Sequence, residues 1–204
     1  MSFKLGNTNI SELYVGSTKI GSAYLGSTKV YEVSSPGPTF DSVTIGSQIW
    51  MAKNLDIDDG GTGIRIKDNV TANGVNFGTQ YYYTWDAAVR VANSITGWHL
   101  PTRNEWNTLA TNVGGSNVAG TKLKSTSGWD EDGNGTDDFG FTVLPVGREF
   151  AVSLLLGRRG FFWTNTAYDS TYVYTAGMYN IDAKIHLTDL DKSFGLSVRL
   201  IKDT

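Results

Sequence analysis

The sequence has no cysteine among its 204 residues, and this absence excludes several kinds of chemistry at once. Disulfides, thiolate metal sites and cysteine nucleophiles all need a thiol. Histidine is scarce as well, because His99 and His186 are the only two, which is too few for a histidine metal cluster. We predict that His99 is a buried structural residue bonded to the backbone and that His186 lies at the surface. No catalytic group is predicted.

The chain also lacks an excess of positive charge and any long apolar run. Its formal net charge is -3, whereas proteins that bind nucleic acid usually present a basic face. No segment approaches the roughly 18 apolar residues of a membrane span. The first ten residues lack the apolar segment of a secretory signal. We therefore expect synthesis in a cytoplasm, no nucleic-acid partner and no membrane insertion.

What the sequence does have is a repeat with a period of ten residues. LGNTNISELY is followed by VGSTKIGSAY and then by LGSTKVY. Glycine followed by asparagine or serine is turn chemistry, and the pieces between are short strand formers. Units this small bury little by themselves, so we expect them to stack on something else. Residues 1–33 are predicted to be a β-repeat module for attachment or oligomerisation.

A proline-glycine joint, SSPGP, occupies residues 34–38, and we place the main domain at residues 39–204. Strand patterns occur at residues 43–57, around a Gly46-Ser47 turn, and at residues 195–201, where apolar and polar residues alternate.

Two helices are predicted in the main domain. Apolar residues recur at helical spacing from Trp85 to Ala92, which indicates a first helix ending before Gly97. A second helix follows the capping box of Thr102 and Glu105, and Gly114-Gly115 ends it. From Gly120 onward we expect only loops and strands. The class is therefore α+β.

Several stretches together resemble the Fibrobacter succinogenes major paralogous domain. They are VTIGSQIWMAKNL, YTWDAA, GWHLPTRNEWNTL, GTKLKSTSGW, NGTDDFGFTVLPVG, FWTNTAYDST and FGLSVRLIKD. The resemblance covers residues 41–203 and implies a C-type-lectin-like fold similar to the formylglycine-generating enzyme superfamily, with two helices and a small twisted antiparallel sheet. Catalysis in that superfamily implies a cysteine, so we expect this chain to be a non-catalytic scaffold.

The N-terminal repeat resembles those at the heads of bacteriophage virion proteins. Joined to a C-type-lectin-like domain, it is similar to the variable receptor-binding proteins of diversity-generating retroelements. The resemblance implies a homotrimeric phage tail protein of the virion, diversified near its C-terminus, that binds a host cell-surface protein or glycan. The alternative is an adhesin or glycan-binding module of the same fold on a bacterial surface, which the missing secretory signal disfavours.

One loop fits half of a calcium motif. Asp130, Asp132 and Asn134 stand at alternate positions before Gly135, and Asp138 follows. Oxygen ligands of a hard cation are spaced in this way, with glycine at the sharp turn. Phe141 stands where such a loop needs its bidentate glutamate. The alternative is a loop in which these side chains accept backbone N–H bonds. Calcium is the only cofactor considered.

The predicted ligand-binding surface lies within residues 151–186, where arginines and aromatic residues crowd together. Its candidate residues are Leu154, Leu156, Arg158, Arg159, Phe161, Tyr172, Tyr174, Tyr179, Asn180 and Asp182. Tyrosine supplies stiff contact area at low entropic cost. Gly157 and Gly160 argue against a buried strand here. Phe162 and Trp163 are expected in the core. Strand alternation predicts that Tyr172 and Tyr174 share one face of a strand and that Val173 lies on the other face.

Overall fold

The structure is a computed structural model that describes residues 38–150 and 155–203, together with six short strands between residues 4 and 32. The chain divides into two compact units, Met1–Thr39 and Phe40–Thr204. Leu154 lies outside the described residues. In the described part of the chain, no helix combines the length and apolar character needed to cross a membrane.

The first unit consists of three antiparallel hairpins. They pair β1 (Lys4–Leu5) with β2 (Thr8–Asn9), β3 (Tyr14–Val15) with β4 (Thr18–Lys19), and β5 (Ser22–Leu25) with β6 (Thr28–Glu32). In each hairpin, the apolar residue before the Gly-Asn or Gly-Ser pair partners the threonine after it, as Val15 partners Thr18. Glycine-containing pairs are favoured between hairpin strands. The predicted short strands are confirmed.

The second unit combines helices with short strands. The strands are β7 (Ser42–Ile45), β8 (Gln48–Met51), β9 (Ile64–Lys67), β10 (Thr71–Ala72), β11 (Val75–Asn76), β12 (Gln80–Tyr83), β13 (Trp98–His99), β14 (Arg159–Ala167), β15 (Tyr172–Tyr179), β16 (Ile185–Asp191) and β17 (Ile201–Lys202). The helices are α1 (Trp85–Asn93), α2 (Arg103–Asn112) and α3 (Ser116–Leu123).

These strands form several small antiparallel sheets. The largest has the order β13-β17-β8-β7, and a second has the order β14-β15-β16. Two further pairs, β9 with β12 and β10 with β11, complete the sheets formed by the described residues of this second unit. The predicted α+β class is confirmed, whereas the expectation of a single small sheet is wrong.

Both predicted helices are present, and each begins at a threonine cap. Thr84 Oγ1 accepts a hydrogen bond from the Ala87 N–H at the start of α1. At the start of α2, Thr102 Oγ1 accepts from Glu105 N–H, and the Glu105 carboxylate accepts from Thr102 N–H. This is the predicted capping box. Because the caps satisfy amides that have no partner within a helix, local sequence fixes where both helices begin.

Helix α3 corrects the prediction of two helices and of only loops and strands after Gly120. Gly114 and Gly115 do end α2, with φ of 110° and 103°, but a new helix starts at Ser116. It lacks a side-chain cap and contains Gly120, so its local helix preference is weak. Packing requires this glycine, because a Cβ there would collide with the backbone carbonyl of Lys184.

Strand β14 corrects the expectation that glycines exclude a buried strand after Gly157. Residues 160–164 are buried within it. At Gly160, an added Cβ would press on the backbone of a neighbouring loop, so this glycine allows two segments to approach closely. Phe162 and Trp163 are buried, as predicted.

The segment at residues 195–201 is buried on both sides, not on one side as its alternation predicts. The buried side chains are Leu196, Ser197, Val198, Arg199, Leu200 and Ile201. Regular ladder pairing begins only at β17, and the residues before it form single bridges to three other segments. The polar side chains therefore enter the core, where each needs hydrogen-bond partners.

Arg199 is completely buried, and its partners among the described residues are oxygens of carbonyl and amide groups. Nη1 donates to the carbonyl of Met51 at 3.1 Å and to that of Phe141, while Nη2 donates to Asn54 Oδ1 at 2.8 Å. The guanidinium also lies 4.6 Å from the Phe141 ring centroid. Burial lowers the pKa of Arg199 to about 9, which leaves it charged at neutral pH. One side chain thus links three segments distant in sequence.

Replacing Arg199 with methionine keeps most of the buried volume but removes the donors to these oxygens. We expect the free energy of unfolding in urea to fall by about 3 kcal/mol or more, because buried acceptors are left without partners. Lys202→Met, an exposed change on β17, is the control and is expected to shift stability by less than about 0.5 kcal/mol. A similar small loss for both variants would contradict the linking role.

His99 is only half-buried and contacts carboxylates, so the prediction of a buried, backbone-bonded residue is wrong. Its Nε2 lies 2.9 Å from Glu105 Oε1, and its Nδ1 lies 2.6 Å from Asp203 Oδ1. Desolvation lowers the pKa of His99, but hydrogen bonds and charge from the two carboxylates outweigh it and raise the pKa above 6.5. His99 therefore ties the start of α2 to the residues after β17.

Because the folded state raises this pKa, the stabilisation by His99 is complete below the unfolded value of 6.5 and is lost as the pH rises through the folded value. We expect the free energy of unfolding to decline between about pH 6 and pH 8, more steeply in the wild type than in His99→Gln. Urea denaturation across this range measures the difference. Parallel pH profiles for the two proteins would contradict the assignment.

Candidate binding surface

Arginines and aromatic residues meet at one end of the β14-β15-β16 sheet. Arg159 begins β14 and is the cross-strand partner of Tyr179, which ends β15. A bridge between Gly147 and Gly160 brings the neighbouring Arg148 to the same end. Since sheet pairing fixes the register, the backbone positions of these three side chains are set by the scaffold.

Two adjoining hollows lie at this end and share Leu155, Arg159 and Tyr179. The first, which we call the arginine hollow, has a volume of about 380 Å³, and its other lining residues are Arg148, Phe161, Thr188 and Leu190. The second, the Glu131 hollow, has a volume of about 180 Å³, and its other lining residues are Glu131, Arg158, Asn180 and Ile181. Charged, polar and apolar side chains are therefore concentrated in one concave region.

Tyr179 is held in a stack of planar groups. The Arg159 guanidinium lies 3.9 Å from the Tyr179 ring centroid, and the His186 ring stacks on Tyr179 at 4.2 Å with an interplanar angle of 9°. His186 Nε2 in turn lies 2.9 Å from Asp182 Oδ2. Because each plane restrains the next, the Arg159 charge is presented with little side-chain freedom left to lose on binding.

Arg148 borders the same hollow and packs on rings. Its guanidinium lies 4.6 Å from the centroid of Phe194 and 5.7 Å from that of Phe161. Desolvation, followed by the positive charge of Arg159, lowers the pKa of Arg148. Within residues 38–150 and 155–203, neither Arg148 nor Arg159 forms an ion pair with a carboxylate.

The turn that carries Asn180 and Asp182 is anchored from beneath by Lys124. This lysine is buried, and its Nζ donates to the carbonyls of Tyr179 at 3.0 Å and Asp182 at 3.1 Å. Burial lowers the pKa of Lys124. Sequence reasoning missed it, because nothing in its neighbours distinguishes it from a surface lysine.

The acidic loop after Trp129 supports the rim of the Glu131 hollow. Asp130 Oδ2 lies 3.6 Å from Arg158 Nε, and Glu131 accepts a hydrogen bond from the Asn180 amide at 3.2 Å. Asn134 Oδ1 accepts from the Trp129 N–H at 3.0 Å, which is the turn-forming alternative considered for this loop.

Of the other predicted calcium ligands, Asp132 and Asp138 are exposed. The described part of the chain contains no cluster of three or more acidic or histidine side chains able to hold a metal ion. Calcium binding at this loop stays a prediction.

The structure brings together only some of the predicted contact residues. The hollows are lined by Arg158, Arg159, Tyr179 and Asn180. Asp182 contacts His186, whose ring stacks on Tyr179. Phe161 is 3% exposed, so it forms a floor and belongs mainly to the core. Leu156 is half-buried and lines neither hollow.

Tyr172 and Tyr174 belong to a separate region. Val173 between them is buried, which confirms that the two tyrosines share one face of β15. Arg103 lies 4.3 Å from the Tyr174 ring centroid. Since Tyr172 begins β15 and Tyr179 ends it, about 23 Å separates them along the strand. The single predicted surface is therefore divided between two ends of the sheet.

A larger cavity of about 470 Å³ lies elsewhere, beside Asn54, Gln80 and Tyr81. Asn54 and Gln80 within it bond to each other and to neighbouring groups. Because Asn54 and Gln80 already have hydrogen-bond partners, we regard this cavity as a weaker candidate ligand site than the arginine hollow.

Lys124→Met tests whether the buried lysine holds the turn that carries Asn180 and Asp182. We expect a loss of about 2 kcal/mol in the free energy of unfolding, because two buried carbonyls lose their donor. Amide hydrogen exchange at residues 180–184 should also become faster than in the rest of the sheet. Lys184→Met, which removes an exposed charge from the same turn, is the control. Unchanged exchange in Lys124→Met would contradict the anchoring role.

Comparison with known families gives one match: the model described as the Fibrobacter succinogenes major domain matches residues 43–202. The search of curated proteins and the search of solved structures found no match.

Proposed function

This chain belongs to the Fibrobacter succinogenes major domain family, and we propose that it is a non-catalytic protein that binds a ligand on a cell surface. The contact region is the pair of hollows around Arg159 and Tyr179. Binding is noncovalent: the small sheets supply a rigid scaffold, and side chains at the strand ends supply recognition.

The observation that carries this proposal is the stack of Arg159, Tyr179 and His186 beside two hollows. Arginine and tyrosine are the residue types that contribute most to binding energy at interfaces. Their positions here are fixed by sheet pairing and by the Lys124 anchor beneath them. A restrained surface of this composition favours affinity, because little order has to be imposed on binding.

The absence of cysteine supports a binding role over the chemistry of the formylglycine-generating enzymes. In the described residues, each histidine contacts carboxylates rather than a hydroxyl that it would activate. His99 joins structural segments, and His186 supports Tyr179.

We further propose that the second unit has a C-type-lectin-like arrangement and that the protein is a receptor-binding protein of a phage tail. The ten-residue hairpin unit then serves to attach the protein to the virion or to trimerise it, which multiplies weak contacts. Retroelement diversification would act on exposed side chains near the C-terminus. The alternative, a bacterial adhesin or glycan-binding module, uses the same contact surface.

The test is binding of the full chain to surface extracts of candidate host cells, compared between wild type and Arg159→Ala. We expect at least about a tenfold loss of affinity for Arg159→Ala, because a stacked arginine at the centre of the surface is removed. Arg90→Ala is the matched control. Arg90 lies on α1, outside both hollows, and pairs with Asp59.

Equal binding by wild type and Arg159→Ala would contradict the proposed surface, and binding to no host extract would contradict the proposed function. Light scattering that shows a monomer at all concentrations would exclude the trimer. Reverse-transcriptase and tail genes beside the coding sequence would favour the phage protein over the adhesin.

A further inference from the structure

The arginine hollow contains two positive charges without a negative one. Arg148 and Arg159 both line it, and its other lining residues, Leu155, Phe161, Tyr179, Thr188 and Leu190, carry no carboxylate. Two acidic residues are adjacent to the lining residues in sequence. Glu149 is used elsewhere, because its Oε2 lies 2.9 Å from Arg65 Nη1. Asp189 lies between Thr188 and Leu190 on β16 and therefore belongs to the opposite face of the sheet, as the cross-strand partner of Tyr174. Two guanidiniums that share a partly desolvated site repel each other, and an anion placed between them would relieve the repulsion.

The adjoining Glu131 hollow differs, because one of its lining residues is a carboxylate. It shares Arg159 with the arginine hollow, whereas its second arginine, Arg158, already lies 3.6 Å from Asp130. Glu131 and Asn180 are bonded to each other at the rim. A second anionic group entering this hollow would meet the Glu131 carboxylate. Hydroxyl groups would instead find an acceptor in Glu131 and both a donor and an acceptor in the Asn180 amide.

From this contrast, and on the basis of the proposed function, we infer that the ligand is an acidic oligosaccharide. The carboxylate of one hexuronate unit lies between Arg148 and Arg159, with the Thr188 hydroxyl at the same wall. A neighbouring, uncharged sugar lies in the Glu131 hollow and uses its hydroxyls there. A continuous polyanion, such as an acidic peptide, fits less well because a charge placed in the adjoining hollow would face the Glu131 carboxylate.

The size of the site agrees with this assignment. At about 380 Å³, the arginine hollow is at the lower end of the range of about 300–1,000 Å³ for small-molecule sites. Its apolar floor of Leu155, Phe161 and Leu190 suits one face of a sugar ring, while the arginines hold the charged edge. Arginine is the side chain best matched to a carboxylate, since two of its N–H groups donate in parallel.

Titration calorimetry of the full chain with galacturonate and with galactose tests the inference, because the two sugars differ only at C6, where galactose has a neutral hydroxymethyl group in place of the carboxylate. We expect galacturonate to bind weakly, with a Kd of about 1 mM, and galactose to bind at least about tenfold more weakly. Added sodium chloride should weaken galacturonate binding, since the contact is an ion pair. Equal binding of the two sugars, or no binding of galacturonate, would overturn the inference.

Substitutions of the two arginines test where the carboxylate of the sugar binds. Arg148→Gln and Arg159→Gln should each weaken galacturonate binding by about tenfold, while Arg90→Gln leaves it unchanged. Arg159→Lys, which keeps the charge but loses the planar fork, should bind between wild type and Arg159→Gln. Urea denaturation of each variant identifies any that fails to fold, and the lysine variant then carries the test. Loss of binding in Arg90→Gln as well would overturn the assignment to the arginine hollow.

The inference and the proposed function fail in different ways. If host extracts are bound but galacturonate does not compete and both glutamine variants still bind them, the proposed binding of a cell-surface ligand stands, whereas the acidic sugar and the proposed contact surface are excluded. If a poly-glutamate peptide competes better than galacturonate, the ligand is an acidic protein and the inference is overturned. If no host extract is bound, the proposed function fails, whatever the titration shows.

Discussion

The second unit depends on a buried cation, Arg199, whose two terminal nitrogens donate to carbonyl oxygens. Arg199 lies beside the rings of Phe141 and Phe162, and its guanidinium reaches the backbone of two segments that no regular sheet connects. Irregular segments leave carbonyls without ladder partners, and burying these groups unpaired would cost more than the packing gains. An arginine with five donors can satisfy several of them at once. It therefore allows irregular segments of the chain to be buried in the core.

Lys124 is a second buried cation that donates to backbone carbonyls. Its acceptors are the carbonyls of Tyr179 and Asp182 at the turn between β15 and β16. The two cations act at different places: Arg199 links segments of the core, and Lys124 holds the turn at the edge of the proposed binding surface. The turn between β15 and β16 is thereby held from within, which leaves its exposed side chains available for the proposed recognition.

The sequence predicts best those features whose causes lie within a few residues. The caps at Thr84 and Thr102 and the hairpins of the repeat are local, because each hydrogen bond or turn involves residues at most four apart. Helix α3 escaped prediction because its glycine, Gly120, lowers helix propensity and is explained only by the carbonyl of Lys184, more than sixty residues later. The same limit applies to β14, where Gly160 reads as a strand breaker until its close backbone neighbour is known.

The candidate binding surface shows the same division. By itself the sequence determined the absence of thiol chemistry, the α+β class, the family resemblance now matched over residues 43–202, and the concentration of arginine and tyrosine near the C-terminus. Only the tertiary structure decided that Tyr172 and Tyr179 lie at opposite ends of one strand and that Arg148 joins Arg159. The physical reason is that residue type is a local property, whereas the partner of a charge or a carbonyl is set by which distant segments the core brings together.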